Sequence, residues 1–195
     1  MKKILFATHN QNKAAEISRQ CNGKIEIVTL SELGITDEIP ETASTLEGNA
    51  LLKARFLFDK FHLPCFADDT GLEVDALNGA PGVFSARYAG QDGDSERNME
   101  KLLANLKYSA NRNARFRTVV AFIDTDGSEH LFEGIVNGTI ATEKHGDSGF
   151  GYDPIFLPQD ADGLTFAQMS IDAKNKISHR ARAITKFIQF IESKQ

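Results

Sequence analysis

The chain has 195 residues, of which 41% are hydrophobic and 25% charged, the composition of an ordinary globular protein of one or two domains. Its net charge of −5 argues against a nucleic-acid-binding protein, which usually carries a basic face. Two cysteines, Cys21 and Cys65, are too few for a disulfide framework, and no apolar run has the length of a signal-peptide core or a membrane span. We therefore expect a cytoplasmic protein that binds neither nucleic acid nor membrane.

The first elements predicted along the chain are a strand, a polar loop, a helix and a second strand. Residues 4–7 are continuously apolar, which predicts a buried strand. A polar turn over residues 8–12 precedes a helix that begins near Ala14 and extends to about Gln20, and residues 25–28 predict a short strand. This order favours an α/β protein with a ligand-binding loop after the first strand.

An extended connection and a long helix follow. Ser44, with Glu47 three residues later, predicts a capping box at the N-terminus of the helix. Apolar residues recur at helical spacing from Leu46 to about Phe61, and Pro64 lies beyond the end of that segment. Residues 65–67 predict the strand that follows.

The remaining elements suggest two lobes that share one mixed sheet. In chain order they are a loop over residues 78–90, a helix over 95–106, an antiparallel hairpin of 116–124 and 130–140 around Asp126 and Gly127, a Gly-rich loop over 148–153, a short strand over 155–157 and a C-terminal helix over 177–191. We predict a single domain over residues 1–195, with the second lobe contributed mainly by about 79–145 and a cleft between the lobes.

Asp68 and Asp69 are the most informative pair of residues. They follow a short apolar run and precede Gly71, which is how the end of a strand delivers acidic groups to the rim of a sheet. Two carboxylates suit Mg²⁺, which binds through one or two carboxylates together with substrate phosphates. The alternative is an Asx turn that caps a helix.

A candidate anion site lies where the first strand meets the first helix, and its residues are Thr8, His9, Asn10, Gln11, Asn12 and Lys13. Backbone N–H groups at a helix N-terminus, a hydroxyl and an ammonium group all favour an anion. The segment has no glycine and is not a Walker A loop. The alternative is a polar turn with a solvated lysine.

Two further charged residues lie near the long helix. Glu41, on the extended connection, can complete a metal site, although a surface glutamate is the commoner explanation. Lys53 lies on the helix itself, where a solvated lysine is the alternative to a functional one.

Residues that could recognise a planar base lie in the last third of the chain. Phe150, Gly151, Tyr152 and Asp153 place two aromatic rings between flexible glycines and beside a carboxylate, a composition that suits stacking on a base. A tight turn with Phe150 in the core is the alternative. The candidate donors near the last helix are Lys174, His179 and Arg180, which by default would be solvated helix residues.

Read in order, five segments resemble the inosine triphosphate pyrophosphatase family, the RdgB-like nucleoside triphosphate pyrophosphatases. The segments are Thr8-x-Asn10-x-x-Lys13, Ala67-Asp68-Asp69-Thr70-Gly71-Leu72, Gly79-Ala80-Pro81-Gly82 through Ser85-Ala86-Arg87-Tyr88, Phe150-Gly151-Tyr152-Asp153-Pro154, and Ser178-His179-Arg180. The chain departs mildly from the family pattern at His9, where glycine is frequent, and at Thr70, where serine is common.

The resemblance implies an α/β fold of two lobes around a long central mixed sheet, and a homodimer. It implies Mg²⁺-dependent hydrolysis of non-standard purine nucleoside triphosphates, such as ITP, dITP, XTP and dXTP, to the monophosphate and pyrophosphate. Asp69 and Lys53 would be catalytic, with Asp69 as the proton acceptor.

The resemblance also implies where the ligands bind. Glu41 and Asp69 would hold Mg²⁺, with Asp68 beside them. The triphosphate would be held by Lys53 and by Thr8, His9, Asn10, Gln11, Asn12 and Lys13. The rest of the nucleotide would be held by Thr70, Phe150, Gly151, Tyr152, Asp153, Lys174, His179 and Arg180.

Two other functions remain open from the sequence. One is a Maf-type pyrophosphatase with a preference for pyrimidine or modified nucleotides. The other is a non-catalytic nucleotide sensor, against which the intact acid pair and Lys13 argue.

Overall fold

A computed structural model describes residues 2–90 and 93–194 of the chain. These residues form an α/β fold. The strands are β1 (Lys2–Phe6), β2 (Ile25–Thr29), β3 (Cys65–Val74), β4 (Pro81–Gly82), β5 (Asn113–Ile123), β6 (Glu129–Ile140) and β7 (Phe156–Pro158). The helices are α1 (Gln11–Cys21), α2 (Leu46–Phe61), α3 (Ser95–Asn105), α4 (Ile171–Ile177) and α5 (His179–Ser193).

The sheet has the strand order β2-β1-β3-β5-β6-β7, and β4 pairs with β3. It is mixed, because β1 is parallel to both β2 and β3, whereas β4 is antiparallel to β3 and β7 to β6. The predicted α/β class with a mixed sheet is therefore confirmed. Strand β1 lies between β2 and β3, and its apolar residues Ile4, Leu5 and Phe6 are buried, as expected of a strand that is covered on both faces.

The chain divides into two compact units, each with its own apolar core. Unit 1 contains the described residues up to Asp69, Thr118–Gly134 and those from Arg180 onward, whereas unit 2 contains Thr70–Arg117 and Ile135–His179. In unit 1 the rings of Phe6 and Phe66 stack at 4.4 Å, and Phe187 of α5 packs 5.0 Å from Phe66.

The core of unit 2 is built from β3, α3, β5, β6 and the segment around β7. Its buried residues include Leu72, Leu102, Phe116, Ile155 and Phe156. The predicted single domain over 1–195, its second lobe and the cleft stay predictions, and residues 1, 91, 92 and 195 lie outside the described part of the chain.

Several predicted elements are confirmed with small shifts at their ends. Helix α2 has the predicted span, and the segments predicted as a hairpin are neighbouring strands that are joined by a turn in which Asp124 N–H donates to the carbonyl of Ser128 at 3.0 Å. Helix α1 begins three residues earlier than predicted, because Asn10 caps it by accepting from the N–H of Lys13. No helix among the described residues has the length and apolar character needed to cross a membrane.

Three predictions about local structure are wrong. The N-cap of α2 is Thr45 rather than Ser44, and its hydroxyl accepts from the N–H of Gly48 at 3.1 Å. The last predicted helix, over residues 177–191, starts two residues too early, because Ser178 has an extended backbone (ψ 154°) and Ile177 ends a separate helix, α4, that was not predicted. The acid pair does not end a strand: Asp68 and Asp69 lie within the ten-residue strand β3, which continues through Gly71.

Candidate active site

Strand β3 carries the acid pair past the end of its neighbour β1. Strand β1 pairs with β3 through Leu5 and Phe6, opposite Cys65 and Phe66, and β1 ends at Phe6. The next residues of β3 therefore follow beyond the carboxyl end of β1. Loops and ligands typically collect at that edge of a parallel pair of strands.

Asp68 is fully buried and lies between two cations of unit 1. The Lys13 ammonium on α1 is 3.1 Å from each Asp68 oxygen, and Arg180 Nε donates to Asp68 Oδ2 at 3.2 Å. Glu16, one turn after Lys13 on α1, accepts from Nη1 of the same guanidinium. Two acids and two cations are therefore joined in one chain of ion pairs.

Asp69 belongs to a second set of ion pairs around Lys53. The Lys53 ammonium donates to Glu41 Oε1 at 2.7 Å and to Asp69 Oδ1 at 3.1 Å. Only 7% of the surface of Lys53 is exposed, so this residue is not the solvated helical lysine that the sequence left as an alternative. The other oxygen, Asp69 Oδ2, is buried and has no hydrogen-bond partner among the described residues.

We call these seven side chains the charged cluster: Lys13, Glu16, Glu41, Lys53, Asp68, Asp69 and Arg180. All of them belong to unit 1, and the acids outnumber the cations by one. Such a cluster is costly to bury and is stable only while each charge keeps its partner.

The two adjacent carboxyl groups have opposite pKa shifts. Burial acts to raise the pKa of Asp68, but Lys13 and Arg180 together outweigh it and hold that pKa well below its usual range. Burial raises the pKa of Asp69, and Lys53 and Lys13 offset only part of this effect. Neighbouring acids with separated pKa values are typical of sites in which one is a fixed charge and the other exchanges a proton.

The lysines of the cluster also differ. Burial lowers the pKa of Lys13, and Asp68 offsets that effect only in part. For Lys53 burial again acts to lower the pKa, but Asp69 and Glu41 outweigh it and raise the pKa above the ordinary value. Lys53 is therefore held firmly as a cation between two carboxylates.

The acids of the cluster fit a divalent cation such as Mg²⁺. Within residues 2–90 and 93–194, no three His, Cys, Asp or Glu side chains are grouped so as to enclose a metal ion by themselves. Mg²⁺ does not require such a group, because it is usually bound through one or two carboxylates with water and substrate phosphates. The carboxylates of Asp69 and Glu41, which share the Lys53 ammonium, offer hard oxygen atoms of the kind that Mg²⁺ prefers.

The segment between β1 and α1 has the features of a helix N-terminus. Thr8 is buried and its hydroxyl accepts from the N–H of Asn10 at 3.1 Å. The exposed His9 bonds the carbonyl of Asp37 at 3.0 Å through Nε2. Gln11 and Asn12 are exposed in the first turn of α1, directly before Lys13, whose side chain reaches Asp68.

Unit 2 contains a buried ion pair between aromatic rings. Lys174 of α4 donates to Asp153 Oδ2 at 2.7 Å, and only 5% and 4% of the two side chains are exposed. The Lys174 ammonium lies 4.9 Å from the ring centroid of Phe150 and 5.6 Å from that of Phe166. The same Asp153 oxygen accepts from the N–H of Phe150 at 2.8 Å, which ties the loop to the ion pair.

The glycines of this loop are required by its conformation. Gly149 has φ +81°, and a Cβ there would lie 2.1 Å from Asp153 Oδ2. Gly151 also has a positive φ, of +65°. Between these glycines and β7, Tyr152 is buried in the core of unit 2, where its hydroxyl donates to the carbonyl of Ser85 at 2.9 Å.

His179, the first residue of α5, is also buried in unit 2. Its ring lies 4.5 Å from that of Phe116 and 6.2 Å from that of Phe166, between ring centroids. Thr70, the first residue of the same unit, is half-buried on β3. We call Phe150, Asp153, Phe166, Lys174 and His179 the aromatic cluster.

A family model for the Ham1 family matches residues 4–190. The chain belongs to the Ham1 family. Among Ham1 relatives, a Porphyromonas gingivalis protein named dITP/XTP pyrophosphatase is 53% identical over 98% of each chain. The Staphylococcus aureus Ham1 protein superposes with a TM-score of 0.90 at 40% identity, covering all of both chains. A Mycobacterium abscessus structure titled nucleoside-triphosphatase / dITP/XTP pyrophosphatase has a TM-score of 0.77 at 42% identity, covering 95% of this chain and 98% of that one.

Membership of the Ham1 family confirms the resemblance identified from the five segments. The structure brings the predicted phosphate and metal residues Lys13, Glu41, Lys53, Asp68 and Asp69 into one cluster. Among the predicted base-binding residues, it groups Phe150, Asp153, Lys174 and His179. It brings Arg180 to Asp68 and Glu16.

Sequence reasoning missed two residues in or beside the candidate site. Glu16 pairs with Arg180, and Asn49 is fully buried one turn before Lys53 on α2. Both are three or four residues from a predicted lysine on the same helix, so helical spacing from Lys13 and Lys53 could have found them.

Proposed function

We propose that this chain hydrolyses non-standard purine nucleoside triphosphates, namely ITP, dITP, XTP and dXTP, to the nucleoside monophosphate and pyrophosphate. Its function would be to remove such nucleotides from the pool. The observation that carries the proposal is the charged cluster, in which three cations pair with the adjacent acids Asp68 and Asp69. The names of the relatives support the substrate class, since the P. gingivalis protein and its M. abscessus counterpart are both called dITP/XTP pyrophosphatase.

In the proposed reaction Asp69 is the general base. Its Oδ2 has no protein partner within the described residues and can accept a proton, while Lys53 fixes the other oxygen at 3.1 Å. Its raised pKa makes the carboxylate a stronger base. Asp69 takes a proton from a water molecule, which attacks the α-phosphorus in line with the departing pyrophosphate.

The lysines are proposed to bind the triphosphate. An ammonium has three donors, and Lys53 uses two of them on Glu41 and Asp69. The third donor, with Lys13 and the segment of Thr8 to Asn12, would compensate the negative charge that develops on the pyrophosphate.

Glu41 and Asp69, with Asp68 beside them, are the residues proposed to hold Mg²⁺, which when bound supplies positive charge against the phosphate oxygens. Asp68 contributes in a different way. Because Lys13 and Arg180 hold it ionised, it keeps both cations fixed in the cluster rather than exchanging a proton.

The aromatic cluster is proposed to select the base. Phe150 would stack on the purine ring, and Asp153 would accept from a ring N–H while Lys174 braces its carboxylate. A donor from His179 would bond the 6-keto oxygen of hypoxanthine or xanthine. Adenine presents an amino group at that position, so a buried donor would be left unpaired and adenine rejected.

The proposal is tested by pyrophosphate release with Mg²⁺ on a panel of ITP, XTP, dITP, GTP, ATP and a pyrimidine triphosphate. We expect kcat/KM for ITP and XTP to exceed that for ATP by at least about 100-fold. Equal rates on every nucleotide would contradict the proposed selection of the base. A preference for pyrimidines would indicate the Maf-type activity, and binding without hydrolysis would indicate a sensor.

We further propose a homodimer located in the cytoplasm. The family resemblance supports the homodimer, and the low cysteine content supports the cytoplasmic location. Light scattering of the purified protein tests the first, and a mass near that of one 21.5 kDa chain would contradict it.

A further inference from the structure

Asn49 is a buried polar residue that the proposed reaction does not use. It is the fourth residue of α2 and none of its surface is exposed. Its Oδ1 accepts from the backbone N–H of Ala43 at 2.9 Å. Ala43 is two residues after Glu41, on the segment that brings that carboxylate to Lys53.

The first turn of α2 holds the same segment in two other ways. The Thr45 hydroxyl accepts from the N–H of Gly48 at 3.1 Å. A Cβ at Gly48 would lie 2.6 Å from Ala43 Cβ, so the segment approaches the helix as closely as a glycine allows. Ala43 is therefore fixed by a hydrogen bond on one side and by close packing on the other.

The side-chain nitrogen of Asn49 makes no hydrogen bond to a described residue that would explain why this buried position has an amide. This atom, Nδ2, is buried and has no partner within residues 2–90 and 93–194. An unsatisfied buried donor destabilises a fold, and an apolar residue of similar volume would avoid the penalty. The amide is explained by its acceptor, because the N–H of Ala43 fixes which end of the amide faces the segment.

We infer that Asn49 is a positioning residue, which holds the segment around Ala43 so that the Glu41 carboxylate reaches Lys53 and the proposed metal position beside Asp69. The inference rests on the proposed function for its catalytic consequence. The geometry is local: Asn49 and Lys53 are one turn apart on α2, and Lys53 donates to Glu41 at 2.7 Å. Releasing Ala43 would release Glu41 from that position.

The chain offers a matched control for Asn49. Asn98 is the fourth residue of α3, is 3% exposed, and accepts from the N–H of Ala89 through Oδ1 at 2.6 Å. It belongs to unit 2 and has no part in the proposed chemistry. Asn98→Ala removes the same kind of acceptor bond as Asn49→Ala, together with a bond from Asn98 Nδ2 to the carbonyl of Ala86 at 3.0 Å, and only Asn49→Ala is expected to affect Glu41.

The experiment measures the Mg²⁺ concentration that gives half-maximal pyrophosphate release, and the amide exchange rate of Ala43 by NMR. We expect Asn49→Ala to raise that Mg²⁺ concentration by about 10–100-fold, the usual cost of losing a group that orients a metal ligand. It should also accelerate exchange at Ala43 at least about tenfold, whereas Asn98→Ala should change neither quantity. In a Glu41→Gln background, Asn49→Ala should add no further change in Mg²⁺ dependence, because the two act through one carboxylate.

Gly48→Ala is a second variant in case Asn49→Ala does not fold. It adds a methyl group against Ala43 instead of removing an amide. We expect it, too, to raise the Mg²⁺ concentration for half-maximal release and the amide exchange rate of Ala43. The inference would be overturned, and the proposed function left intact, if both variants needed the wild-type Mg²⁺ concentration for half-maximal release while Glu41→Gln needed a higher one. A wild-type Mg²⁺ dependence in Glu41→Gln would overturn both.

Discussion

Replacing each of the adjacent acids Asp68 and Asp69 by asparagine is expected to change stability and turnover in different ways. Asp68 bonds Lys13 at 3.1 Å and Arg180 at 3.2 Å, and only 1% of it is exposed. Asp68→Asn leaves two largely buried cations without that negative charge, a change that typically costs about 3–5 kcal/mol. For a chain of this length we expect the Tm to fall by about 6–20 °C.

Asp69→Asn is expected to behave differently. A raised pKa means that folding disfavours the ionised form, so at neutral pH the ionised carboxylate of Asp69 reduces stability. Lys53 keeps Glu41 as a partner at 2.7 Å when the charge is removed. We expect the Tm to change by less than about 3 °C, corresponding to about 1 kcal/mol. Turnover should fall by about 10²–10⁴-fold, because the general base is lost.

The pH dependence of the Asp68 effect has a definite sign. A lowered pKa stabilises the fold above the pKa of the unfolded carboxyl, about 3.9, and this contribution is lost as the pH falls through the folded value. The difference in Tm between wild type and Asp68→Asn should therefore be constant from pH 7 to 5 and shrink only below about pH 4.

Thermal unfolding followed by circular dichroism, together with pyrophosphate release at 25 °C, measures both substitutions on the same samples. The reasoning is refuted if Asp69→Asn lowers the Tm as much as Asp68→Asn does. It is also refuted if Asp69→Asn retains near-normal turnover at a saturating Mg²⁺ concentration.

Other parts of the structure give three further predictions. Lys174→Met leaves the buried Asp153 carboxylate without its cation and should destabilise the protein by about 3–5 kcal/mol in urea unfolding, whereas adding Asp153→Asn should restore part of the loss; a double variant no more stable than Lys174→Met alone would contradict this. Gly149→Ala should lower kcat/KM for ITP, because its Cβ would collide with Asp153 Oδ2 at a φ of +81°, and an unchanged value would show that the loop tolerates displacement. Burial raises the pKa of Cys21 to about 11 and that of Cys65 to about 12, so a thiol reagent at pH 8 should label neither until the protein unfolds; immediate labelling of the native protein would be the opposite result.

The sequence predicted elements whose apolar pattern is uninterrupted. The repeat from Leu46 to Phe61 defined α2 because one face of that helix is buried along its length. The sequence predicted a cap at Ser44 instead of Thr45, because both hydroxyls can accept from the first turn and the pattern does not separate them. It also missed the break at Ser178, because the apolar spacing continues across a residue whose backbone is extended.

For the candidate site, the sequence identified most side chains but not their partners. Asp68 and Arg180 are 112 residues apart, and their pairing depends on where β3 and α5 lie in unit 1 rather than on any local pattern. Arg180 was predicted to contact the nucleotide, and its bonds to Asp68 and Glu16 became evident only from the fold. Tyr152 likewise reads as a stacking residue in sequence, although its hydroxyl lies buried against Ser85.

The linked ion pairs of the charged cluster also constrain how this protein can evolve. A change at Glu16 alone would remove one acid that pairs with Arg180, and a change at Lys13 alone would remove one cation that pairs with Asp68, so each single step passes through a less stable ancestor. We expect viable lineages to alter these positions jointly or to leave them untouched. Efforts to raise thermostability should begin elsewhere on the molecule.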